Sequence, residues 1–448
     1  MMNQAERLSC VEAQRPLMFK AFDYIGHHPE TGYREWGTQA FLLQELKNLG
    51  YTDFTMAEGI TGFYLTVKTG RPGPVVCVMG ELDSVLCPNH PDANPETGAA
   101  HACGHHCQSS ALLGYAAALR DPTMLDGLCG EIRLMFVPAE ELLEVEYRES
   151  LKKKGIIKYF GGKLEFMRRG FFDGVDLCLM LHTGSGKNSF YLSPGQNGCM
   201  VKQIAYRGKS AHAGGAPHLG INALYAANLG MSAVNSLRET FRDQDHIRFH
   251  PIVTGRAGAV NVIPDCVTME SYVRGGSLKA IEDANKRINR ALAGAAACMG
   301  AKVTISDRPG YSPVDNDPNM YALAKKVMTG LVGADNVREG TWGGGSTDMG
   351  DISCVFPAIH PSCSGSEGAG HGEDYRIVDP ESAVVLAAKY LEEMTAALLE
   401  NDAAEARYIL ENKHTQFSSV KDFLAFIDQF DIDLDAVEYG DGKTIIHA

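Results

Sequence analysis

His101-Ala102-Cys103-Gly104-His105-His106 is the densest grouping of soft and borderline metal donors in the chain. A thiol and an imidazole two residues apart can reach one divalent ion if the backbone reverses between them, and Gly104 permits that reversal. Alone, Cys-Gly-His is a weak signal, because most cysteines and histidines fill cores or face solvent. Its company makes it a candidate site. Gly80-Glu81-Leu82-Asp83 stands upstream, Pro138-Ala139-Glu140-Glu141 and His182 stand downstream, and each follows an apolar run.

Those runs decide the fold. Phe63, Leu65 and Val67 alternate with Tyr64, Thr66 and Lys68, a half-buried strand stopped by Gly70-Arg71-Pro72-Gly73. Residues 74–79, 131–137 and 175–181 are short apolar runs, predicted to be buried strands. Helical spacing marks residues 11–27, 37–50 and 110–119. Alternating strands and helices predict a three-layer α/β/α domain. In such sheets ligands collect beyond the carboxyl ends of the strands, where Glu81 and Asp83, Glu140 and Glu141, and His182 all fall.

The pattern changes near residue 198: strand 199–206, helix 221–237, strands 247–253 and 266–273, helix 278–298 and strand 302–306. This β-α-β-β-α-β order predicts an inserted ferredoxin-like α+β domain. The chain then returns with helix 318–331, strand 354–359 and helix 381–399. The expected division is a catalytic domain in two parts, 1–197 and 311–400, an inserted domain at 198–310, and a helical tail at 401–448 with amphipathic pieces at 404–410 and 420–430. No internal repeat is visible.

At 448 residues the chain exceeds one comfortable core, and 45% hydrophobic with 21% charged residues is a globular balance. A net charge of -14 argues against nucleic acid or an anionic membrane as partner. Lys152-Lys153-Lys154 reads as a solvated helix face. Residues 1–10 lack the apolar core of a signal peptide, and no run nears the roughly 18 apolar residues of a membrane span. With twelve scattered cysteines, these features point to a cytoplasmic protein with reduced thiols.

Adjacent glutamates on a turn point in different directions, so one of Glu140 and Glu141 can ligate a metal while the other carries a proton. His182 becomes a plausible ligand beside Cys103, His105 and Glu141. His371 lies in Gly368-Ala369-Gly370-His371-Gly372, where glycines could bring the backbone to the sheet rim or simply make turns. Gly208 to Gly215 places His212 on a glycine-rich loop. Asn261, in Asn261-Val262-Ile263-Pro264-Asp265, and Arg274 suit a substrate carboxylate, or serve as a turn former and a surface cation.

Taken with His28-Pro29-Glu30-Thr31-Gly32 and Gly345-Ser346-Thr347-Asp348, these motifs resemble, in order over residues 28–400, the M20 metallopeptidase family. The likeness is strongest to its amidohydrolase branch of aminoacylase-like, indole-acetyl-amino-acid and aminobenzoyl-glutamate hydrolases. The resemblance implies two divalent ions and a lid domain that commonly forms a dimer interface. It implies Cys103, His105, Glu141, His182 and His371 as ligands, Glu140 as general base and acid, and Asp83 in an indirect role. His212 would reach a partner subunit's site to stabilise the oxyanion, and Asn261 and Arg274 would hold the substrate carboxylate. A Cys/His/Glu set suits zinc and accommodates manganese or cobalt.

The expected activity is amide hydrolysis of N-acyl amino acids or related small amides with a free carboxylate, by a homodimer or higher homo-oligomer. A dipeptidase or aminopeptidase of the same family is the alternative substrate class. A nucleophilic Cys103 with His105 or His101 as base, and a metal-binding sensor without turnover, are the other classes. Two departures stand out: His106 replaces the branch's usual aspartate, and the segment 142–169 is longer than expected.

Overall fold

The computed structural model describes residues 2–255 and 258–447. Its contacts define one unit from Met1–Gly195, Val314–Trp342 and Thr347–Val420, and a second from Gln196–Pro313, Gly343–Ser346 and Lys421–Ala448.

In the first unit Val75–Glu81 is the central strand of an α/β sheet, parallel to Glu131–Val137 on one side and Leu177–Leu179 on the other. Phe63–Lys68 pairs antiparallel with Glu131–Val137, and Ala358–Ile359 lies parallel to Leu177–Leu179. Val75–Glu81 is valine-rich and buried beyond its first residue, as a strand covered on both faces should be. Helix His105–Ala118 is buried along its whole length, so it shows no polar face. It begins at His105, five residues before the alanine-rich run that announced it. The polar residues that hid this start, Gln108 and Ser109, turn inward: Gln108 Nε2 donates to Glu81 Oε2 at 2.8 Å and Ser109 Oγ donates to Glu81 O at 2.6 Å.

The expected strand at 175–181 is confined to Leu177–Leu179, after which His182–Ser185 joins a second sheet beside Ser362–Glu367. The expected strand at 354–359 shrinks to Ala358–Ile359, because Met349–Ser353 is a helix and Pro357 supplies no N–H to a ladder.

The second unit is an antiparallel sheet in the order Arg248–Phe249, Cys266–Gly275, Gly198–Arg207, Lys302–Tyr311 and Ile432–Asp435, with helices Ala223–Asn235 and Leu278–Cys298 packed into its core. His250-Pro251 splits the expected strand at 247–253 into Arg248–Phe249 and Ile252–Val253. The tail corrects a further expectation. Beyond helix Val420–Ile427 and a 3-10 turn at Asp428–Phe430 it is not helical: Ile432–Asp435 adds a strand to Lys302–Tyr311, and Val437–Gly440 pairs with Lys443–Ile446. Ile432-Asp433-Leu434-Asp435 alternates with period two, and Arg308 Nη2 donates to Asp433 Oδ1 at 2.8 Å.

Among the described residues no helix is long and apolar enough to cross a membrane.

Candidate metal centre

The loop carrying Cys103 turns at Gly104, whose φ of +88° is left-handed, and a Cβ there would sit 2.6 Å from Tyr375 Oη. Glycine thus serves both the reversal and the close approach. His105 opens the helix, and its ring is oriented by Asp83, since Nδ1 lies 3.0 Å from Asp83 O and 3.1 Å from Asp83 Oδ1. Donation there turns the Nε2 lone pair toward the centre. This nitrogen is buried without a hydrogen bond, 3.2 Å from Glu81 Oε2. His182 is held alike, with Nδ1 2.7 Å from Thr183 O and Nε2 3.5 Å from Cys103 Sγ. A ligating histidine typically uses its other ring nitrogen in this way.

Ala139, which precedes the glutamates, has a φ of +53°, uncommon for a residue with a side chain. Glu35 and Gly162 hold it there: Ala139 N donates to Glu35 Oε1 at 2.7 Å, and Gly162 N donates to Ala139 O at 3.1 Å. Glu141 N donates to Asp83 Oδ2 at 2.9 Å, so Asp83 orients both His105 and the glutamate turn. Glu141 Oε1 reaches His371 Nε2 at 2.9 Å, and His371 N donates to Ala102 O at 2.8 Å, tying the glycine-rich 368–372 loop to the 101–106 loop.

Donor atoms therefore converge in three groups, each within 4.8 Å: Cys103, His105 and His182; Cys103, Glu141 and His371; and Glu81, His105 and Glu140. A cavity of about 290 Å³ opens on Cys103, His182 and His371. A thiol shared by two groups, three imidazoles and a carboxylate, with an orphaned buried His105 Nε2, form a donor set that fits a divalent cation pair.

The two glutamates are electrostatically distinct. Burial, then the charges of Glu81 and Glu141, push the Glu140 carboxyl well above its usual range. Burial is the largest influence on Glu141 and raises it, but the hydrogen bond to His371, the charges of His371 and His105 and the Cys103 thiol together outweigh it and hold the carboxyl below its usual range. Burial also raises the Cys103 thiol in the metal-free protein.

The sequence motifs left out three groups. Lys163, fully buried, bridges Glu81 Oε1 at 2.5 Å and Asp348 Oδ1. Glu35 also accepts from Thr61, and its carboxyl is pushed up to about 8 by burial and by Asp83. Arg148 donates to the carbonyls of Glu141 and Phe160. No periodicity marks them, since their partners are remote in the chain.

His212, Asn261 and Arg274 lie in the second unit. His212 is exposed on its loop; Nδ1 accepts from Gly214 N at 3.2 Å and Gly215 N at 2.9 Å, which leaves Nε2–H as an outward donor. Asn261 is its neighbour, with Ala213 N donating to Asn261 O at 3.0 Å. Arg274 is not: Cys266 pairs with Arg207 and Arg274 with Cys199, at opposite ends of one ladder. Eight residues of extended chain separate those ends, roughly 26 Å. Arg274 Nη1 donates instead to Ser346 Oγ at 2.7 Å.

Fold and donor set together define a metal-dependent hydrolase. The model of the peptidase family M20/M25/M40 matches residues 77–397, and the chain belongs to that family. Among its relatives, the Xaa-Arg dipeptidase of Mus musculus is 29% identical over 63% of this chain and 62% of its own length, so less than two thirds of it is spanned. An IAA-amino acid hydrolase, ILR1-like 4, of Arabidopsis thaliana is 26% identical over 70% of this chain and 69% of its own. The fold of a Bacillus subtilis protein, YXEP, described as a dinuclear metal binding peptidase from M20 family, superposes with a TM-score of 0.65, at 20% identity, over 87% of this chain and 99% of the other.

Proposed function

We propose that the protein hydrolyses the amide bond of N-acyl amino acids or related small amides with a free carboxylate, at a dinuclear centre held by Cys103, His105, Glu141, His182 and His371. The observation that carries this reading is geometric: the donor atoms of Cys103, His105 and His182, and of Cys103, Glu141 and His371, converge in groups within 4.8 Å that share one thiol, with Glu140 in a third group beside them. A divalent pair bound there, zinc or manganese with cobalt accommodated, lowers the pKa of water and polarises the scissile carbonyl. Glu140 takes the proton from the attacking water and returns it to the leaving amine nitrogen. Asp83 is a positioning residue acting through His105 and the Glu141 backbone.

His212 offers its Nε2–H to the developing oxyanion, and Asn261 and Arg274 hold the substrate carboxylate. The separation of Arg274 from Asn261, which lies beyond the far end of the ladder, supports a homodimer in which His212 and Asn261 come from one copy and Arg274 from the other. The apolar side chains exposed in the second unit, Leu219, Tyr225, Ile252, Val253 and Val260, support the same arrangement. The dipeptidase reading shares this machinery and differs only in the acyl group, which in a dipeptide carries an amine. Twelve cysteines scattered along the chain suit the cytoplasm.

Glu140→Gln tests the proposal. It should bind the metal pair as the wild type does and lose roughly two to four powers of ten in kcat on N-acyl amino acids. Turnover near wild type would remove Glu140 as the proton carrier. Activity insensitive to chelator but blocked by a thiol reagent would favour Cys103 as nucleophile instead.

A further inference from the structure

A second cavity, of about 190 Å³, shares only Tyr375 with the cavity at Cys103; Phe22, Asp23, His27, His90, His101 and His106 are among its walls. His101 is 8% exposed and His106 5%. Both ring nitrogens of His101, and Nδ1 of His106, are buried with no hydrogen-bond partner. A neutral imidazole carries one donor and one acceptor, and leaving them unmet inside a protein is destabilising. Buried polar atoms so placed call for a partner, an ordered water or an ion.

His90 does not meet that need. Its Nε2 lies 2.7 Å from Tyr375 O and its Nδ1 accepts from Asp92 N at 3.1 Å. The His101 and His106 rings face each other with centroids 4.8 Å apart and planes tilted by 46°. Two imidazoles bound to one ion through nitrogens at about 2.0–2.1 Å would have centroids about 4.5–5.1 Å apart for bond angles between about 90° and 109°. The observed spacing falls inside that window.

A third donor stands at the mouth. The Cβ position of Gly26 is 3.5 Å from His106 Cδ2, and the next residue, His27, lines the same cavity with a side chain 69% exposed. Its Nδ1 lies 2.8 Å from Asp23 O, and donation there leaves Nε2 as the available lone pair. Among the described residues no convergent group of three donors includes this pair, so closure requires the His27 side chain to swing inward from its contact with Asp23 O.

We propose that His101 and His106, completed by His27, form a binding site for a further divalent transition cation of the zinc and cobalt class, separate from the Cys103 centre. The test is equilibrium dialysis of the intact chain against Co²⁺, with bound metal counted by elemental analysis, for wild type, His27→Ala and His106→Phe. The wild type should bind one ion more than His106→Phe, and His27→Ala should hold that ion roughly 10- to 100-fold more weakly. Cys103→Ala keeps the two sites distinguishable: it should retain a cobalt spectrum without thiolate charge transfer, which loses the contribution of one bound ion when His106→Phe is added. Equal metal content and affinity in wild type and both histidine variants would overturn the proposal. So would a cobalt spectrum in Cys103→Ala that is indifferent to His106→Phe.

Discussion

At the scale of single residues, the groups around the centre are held by buried charge. Lys163, between Glu81 and Asp348, is fully buried with both carboxylates. Lys163→Met would leave two buried acids facing each other, and a urea titration should show a loss of about 3–5 kcal/mol. Glu35 is the opposite case, a buried carboxyl without a cation. Its pKa rises from 4.5 to about 8 on folding, so between those values the native state holds a proton that the unfolded chain releases. Stability therefore falls as pH rises through that window, by up to about 4–5 kcal/mol from this group alone. Glu35→Gln preserves an acceptor for Ala139 N, and denaturation series from pH 4.5 to 8 should show a flatter profile for it. Neither residue belongs to a motif that signals metal chemistry, and so neither was legible before its partners were in place.

At the scale of elements, the strand ends were legible because their apolar runs are short and bounded by turn residues. Glu81, Glu140 and His182 all fall where those runs stop. Helix His105–Ala118 was read five residues short because its first turn is polar yet buried, a combination that periodicity cannot distinguish from a loop. The tail was misread since Ile432–Asp435 is only four residues long, and a strand that short is defined by the edge it joins. It covers Lys302–Tyr311, whose free edge would otherwise offer an unpaired row of N–H and C=O groups. Deleting residues 431–448 removes that strand together with the buried Ala436 and Val437. Calorimetry should show the second unit losing about 2–5 kcal/mol, and light scattering should show increased association through the bared edge.

At the scale of the whole molecule, the centre joins residues from the 80s, 100s, 140s, 180s and 370s, so metal and first-unit stability are linked. Chelation should abolish hydrolysis, with recovery on adding Zn²⁺, Mn²⁺ or Co²⁺. The thermal transition should also drop, by the equivalent of about 2.7 kcal/mol per ion site for free metal at 100 times Kd. Sequence by itself determined the α/β and α+β classes, the donor types and the rim on which they gather, since strand period, turn residues and ligand chemistry are local properties. Only the tertiary structure decided how those donors share Cys103, how deeply the two glutamates are buried, and that Asn261 lies beyond the end of the ladder opposite to Arg274. Distances across a fold, and the burial that sets a carboxyl's pKa, arise from contacts between segments far apart in the chain, and no local pattern encodes them.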